Sequence, residues 1–146
     1  MRWALLVLVA LGSGCSYPVA EPFELTIGPG FTTAEHAVIE ERALEWLSVG
    51  ATIGRVRVEF MGPEEDGRTV GFFGDGLLQM HPGARGAMFS AVMLHEFGHA
   101  AGAEHHEGDG CMHPHVTEAR DCITPEDLAT AGLDGPGTCG GATTDE

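Results

Sequence analysis

Between Met93 and His115 the chain reads MLHEFGHAAGAEHHEGDGCMHPH, and six of its eight histidines fall in that stretch. His95 and His99 are four residues apart, which on a helix puts both on one face, close enough to share a metal ion. Glu96 stands beside His95 on the rim of that face, near such an ion without being a ligand. In the pattern H-E-x-x-H two imidazoles bind zinc and the glutamate acts as general base. Gly102 follows His99 by three residues, and His105 follows Gly102 by three more. A third ligand on the same unbroken helix would face the wrong way. The helix must therefore stop and the chain fold back, and glycine enters the left-handed conformation that this needs. Three protein ligands leave a tetrahedral site one open position for water, the arrangement of a catalytic rather than a structural zinc. His106 would replace His105 only if the loop were one residue longer, and the spacing favours His105. His113 and His115 read as solvated, and His36 and His81 as surface or strand-end residues.

These side chains need a scaffold. FELTIG (23–28) alternates and reads as a strand. Thr32 or Thr33 caps a helix over 34–50, with an apolar stripe of Ala34, Ala37, Val38, Leu44 and Leu47, and Gly50 ends it. GRVRVEFM (54–61) alternates strictly, with Val56, Val58 and Phe60 inward, so it is a second strand. A Gly- and acid-rich loop (62–76) follows, with one short strand around Thr69–Phe73. LLQMHP (77–82) is a brief strand stopped by Pro82. A buried helix starts near Ala87 and carries the histidines. ITPEDLATAGL (123–133) is a last helix, capped by Thr124, with Pro125 at its first position and Asp127 near its positive end. The expected architecture is α+β: a short twisted sheet, a buried helix bearing the site, and a C-terminal helix.

HEFGHAAGAEH, with CMHP downstream, resembles the metzincin zinc metallopeptidases and within them the matrixins, whose H-E-x-x-H-x-x-G-x-x-H motif and later Met-turn it matches. The resemblance implies that Met112 packs beneath three zinc-binding imidazoles. It covers about residues 23–133, strongly at 95–112 and weakly elsewhere. LLQM sits where the family's substrate-lining edge strand lies, so an extended peptide substrate is expected along residues 77–81. The implied activity is that of a small zinc endopeptidase, with one zinc on His95, His99 and His105 and with Glu96 as base. No cysteine-switch segment is visible, and the acid-rich loop is at most a weak Ca²⁺ site. The rival reading is a non-catalytic zinc-binding lipoprotein, which would share the ligands and have no use for Glu96.

The remaining features concern location. Net charge is −15, with 22 acids against seven arginines and no lysine. Such a surface has nothing to neutralise phosphates, so nucleic acid is excluded as a partner. Residues 1–14 carry Arg2 and an apolar run too short to span a bilayer, and read as an export signal. Cys15 then resembles the acylated cysteine of bacterial lipoproteins, although Gly12 stands where leucine is preferred. A cell-envelope lipoprotein, anchored only by lipid, or a secreted protein is expected. Residues 15–22 read as a tether, 23–133 as one monomeric catalytic domain and 134–146 as a flexible tail. In an oxidising compartment Cys111 and Cys122 are expected to pair across the Met-turn, with Cys122–Cys139 the alternative.

Overall fold

Alternation along Arg55–Phe60 orients the whole sheet. Val56 and Val58 are buried on one face, while Arg55 and Arg57 project from the other. The computed structural model describes residues 22–62 and 70–139. Residues 1–21, with the expected export signal and Cys15, residues 63–69 of the acid-rich loop and residues 140–146 lie outside the described residues. The elements are β1 (Glu24–Ile27), α1 (Thr33–Ser48), β2 (Arg55–Phe60), β3 (Gly71–Gly74), β4 (Leu77–Met80), α2 (Phe89–Ala100) and α3 (Pro125–Thr130). A single 3-10 turn, Pro82–Ala84, precedes α2, and His81 caps it by accepting from Gly83 N–H at 3.0 Å.

The four strands form one mixed sheet in the order β1-β2-β4-β3. β1, β2 and β4 are parallel, and β3 runs antiparallel to β4. This is the small α+β domain expected. One register difference matters for the site. β4, expected as the substrate-lining edge, is interior: Arg57–Phe60 pair with it on one side and Gly71–Gly74 on the other. Among the described residues the edge strand beside the site is β3, because the short hairpin through Asp75 and Gly76 folds β3 back along β4.

Val56, Val58, Leu78 and Met80 meet both long helices in one apolar cluster. α1 is capped by Thr32, with Glu35 returning the bond to the Thr32 N–H. Its buried residues are Ile39, Ala43 and Trp46. The expected stripe is therefore rotated: Val38 and Leu47 are partly buried against the core, but Ala34, Ala37 and Leu44 are exposed, Leu44 by 58%. Trp46 outweighs the smaller residues because it buries the most apolar area, and its indole N–H donates to the Leu94 carbonyl at 2.9 Å. α2 is buried along almost its whole length, Ala91 to Gly98 without a break.

The cysteine pairing differs from the expected one. Cys122 is bonded to Cys139, and Cys111 is a free, buried thiol. Cys111 lies between α2 and α3, its carbonyl bonded to His95 of α2 and its N–H to Asp127 of α3, and both bonds hold it in that place. The stretch from residue 134 to Cys139 is accordingly no free tail. Thr138 and Cys139 N–H both donate to the Ile123 carbonyl, at 2.7 and 3.1 Å, and Ile123 N–H donates to Thr138 Oγ1.

Candidate metal centre

The last two turns of α2 carry His95, Glu96 and His99, and the way the helix closes brings in the third imidazole. Gly102 has φ +87°. Its N–H donates to the His99 carbonyl at 3.0 Å, and Ala103 N–H donates to the Gly98 carbonyl at 2.9 Å. These two bonds form a Schellman closure, which requires a left-handed residue after the cap. At this glycine the chain turns so that His105 returns over the helix end.

The Nε2 atoms of His95 and His99 each stand 3.1 Å from Nε2 of His105. One ligand atom from each of the three residues lies within 4.8 Å of the others. Two ligands on a common ion stand roughly 3 Å apart, as the two pairs that include His105 do. The outer nitrogens are accounted for. His95 Nδ1–H donates to the Cys111 carbonyl at 2.7 Å and His99 Nδ1–H to the Ala103 carbonyl at 3.0 Å. A carbonyl can only accept, so both rings are held in the tautomer whose Nε2 lone pair faces the cluster. Burial, and then the neighbouring imidazoles, push the His95 pKa down to about 4; burial also lowers that of His99. Both rings are therefore neutral near pH 7, the state in which imidazole is a metal ligand. The group could hold a metal ion.

Glu96 is only 3% exposed, and its Oε2 has no hydrogen-bond partner. Burial alone raises its pKa to about 8. A cation at the three imidazoles would oppose that shift by favouring the carboxylate. The carboxyl group and the three imidazoles line one cleft of about 660 Å³, bounded by β3 on one side and by Pro114 and Val116 on the other.

Met112 is fully buried under the last turn of α2. Gly98 makes room for it: a Cβ there would meet the Met112 side chain and come within 2.8 Å of the Trp46 ring. The turn around Met112 is fixed by Asp127, a residue that the sequence shows only as a helix cap. Asp127 does take part in a capping box with Thr124. It is also completely buried, and it accepts from Cys111 N–H at 3.1 Å, Met112 N–H at 2.8 Å and His106 Nε2–H at 2.7 Å. Burial works against its ionisation, but the hydrogen bonds from Thr124, Met112 and His106 outweigh burial and its pKa is lowered. Cys111, held through its N–H by Asp127, then holds His95 through its carbonyl. His106 belongs to this clamp and not to the metal cluster, since Gly108 N–H occupies its other nitrogen at 2.9 Å. His113 and His115 lie beside each other, and neither joins the three.

No protein-family model, no curated protein and no solved structure matches this chain. The reading of the site rests on its own chemistry.

Proposed function

We propose that the chain is a zinc-dependent metalloendopeptidase of the metzincin kind, nearest in its motif to the matrixins. One observation carries this reading: three oriented imidazole nitrogens share a cleft with a buried, unpartnered carboxyl group. Three neutral nitrogen donors are a ligand set that suits zinc better than magnesium or calcium. Bound by His95, His99 and His105, zinc would act as a Lewis acid towards a peptide carbonyl and lower the pKa of water to roughly 7. Glu96 then accepts a proton from the attacking water and returns it to the departing amine nitrogen. The edge strand β3, Gly71–Gly74, aligns an extended peptide through main-chain hydrogen bonds. The buried carboxyl group also weighs against a binding module, because a buried polar group whose Oε2 has no hydrogen-bond partner costs stability unless it has a use.

The test separates base from ligand. Glu96→Ala should retain one zinc per chain while peptide hydrolysis falls by about 10²–10⁴-fold, the usual worth of positioned proton transfer. His105→Ala should lose zinc itself. Hydrolysis undiminished in Glu96→Ala would remove the mechanism. A wild type that holds one zinc yet cleaves nothing in a broad peptide library would favour the zinc-binding module instead.

A further inference from the structure

Gly71 opens β3, opposite Met80 of β4, where the edge strand passes the end of α2. A Cβ built on Gly71 would lie 2.8 Å from both Cγ and Cδ of Glu96, and nearer still to Oε1. Carbon atoms in van der Waals contact stand roughly 3.5–4.0 Å apart, so that space is already filled by the glutamate. The backbone does not need glycine here, since Gly71 is absent from the residues with positive φ. What glycine supplies at this position is room. Glu96 Oε2 has no hydrogen-bond partner, so hydrogen bonding does not fix the carboxyl group on that side. Its position depends on the shape around it.

We infer that Gly71 is a positioning residue for Glu96: its bare Cα forms the seat of the carboxyl group against the edge strand. A methyl group at residue 71 does not break the fold, because the crowded atoms, Cγ, Cδ and Oε1 of Glu96, belong to a side chain that can rotate and not to backbone. It displaces the carboxyl group instead. The catalytic consequence rests on the hydrolytic reading above; the seat itself does not.

The experiment has two arms. In the kinetic arm, Gly71→Ala should keep its zinc and its KM while kcat falls by about 10²-fold, the scale of a misplacement near 1 Å. In a Glu96→Asp background the carboxyl group is one methylene shorter, and adding Gly71→Ala should cost nothing further. Equal losses in both backgrounds, a loss confined to KM, or full activity would each overturn the inference. In the stability arm, Gly71→Ala should lower Tm in the chain that has Glu96. In a Glu96→Ala background it should leave Tm unchanged or raise it, as replacement of a strand glycine does where space allows. An equal fall in Tm in both backgrounds overturns the seat whatever the kinetics. A wild type without hydrolytic activity overturns the hydrolytic reading alone, and the Tm cycle still decides the seat.

Discussion

Two carbonyl oxygens, those of Cys111 and Ala103, decide which nitrogen each of His95 and His99 turns inward. The spacing of the histidines does not carry that information, because the carbonyls belong to segments that reach the rings only after folding. A similar dependence holds for Glu35, which caps α1 by accepting from Thr32 N–H and also accepts from Arg85 Nε and Nη2, 50 residues away. The Arg85 hydrogen bonds lower the Glu35 pKa from 4.5 to about 2. A folded pKa below the ordinary value means that the carboxylate contributes stability above pH 4.5, and the contribution is lost as pH falls towards 2. The urea midpoint should therefore fall across that interval, and Glu35→Gln should flatten part of the slope. The pair is near the surface, so salt should weaken the effect. An identical slope in Glu35→Gln would show that the Arg85 contact adds nothing.

The elements fit together through polar residues as much as through the apolar cluster. α3 is six residues long and would be marginal alone. It is held because Asp127 reaches from it to the turn that carries Cys111 and Met112. Asp127→Ala leaves several buried donors unpaired, and hydrogen bonds to charged groups are each worth about 1.5–3 kcal/mol. The expected loss of stability is at least about 3 kcal/mol, together with zinc affinity weakened about 10–100-fold through His95. Calorimetry and a competitive zinc titration would read the two effects. A variant within about 0.5 kcal/mol of wild type and with unchanged affinity would make the clamp inert. α1 shows where periodicity misleads: counting apolar residues favours Ala34, Ala37 and Leu44, yet the face that packs is Ile39, Ala43 and Trp46. Spacings of four and three fit either face, and only contact with α2 chooses between them.

Across the whole molecule, Arg42 joins three segments. Its guanidinium donates to Ser90 at 2.8 Å, to Asp121 at 3.2 Å and to Glu45, and Glu45 in turn accepts from Thr138. The Cys122–Cys139 bond closes this C-terminal segment, with a separation of 17 residues. A loop of that size is worth about 3 kcal/mol when its geometry is relaxed, so reduction or Cys122→Ser should lower stability by roughly 2–4 kcal/mol. Denaturant melts with and without reductant would measure it, and coincident curves would refute it. A disulfide of this kind accords with the proposed export by residues 1–14, because such bonds persist in oxidising compartments. With Cys15 as the lipid anchor, the mature protein should partition with membranes and Cys15→Ser should be released; a fully soluble wild type would end that proposal.

The three-imidazole cluster was legible from the chain alone because its information is local. A helical face, one glycine and fixed spacings place His95, His99 and His105, and few other arrangements satisfy all three. The caps of α1 and α3 and the inward valines of β2 are local in the same sense. Tertiary structure decided what depends on distant segments meeting. It placed β4 inside the sheet and left the edge to β3, because strand order depends on pairing partners that alternation does not name. It paired Cys122 with Cys139 and left Cys111 between α2 and α3, where buried hydrogen bonds hold it. It also brought Gly71 against Glu96, since a glycine selected for the space it leaves looks in the sequence like any other glycine in a loop.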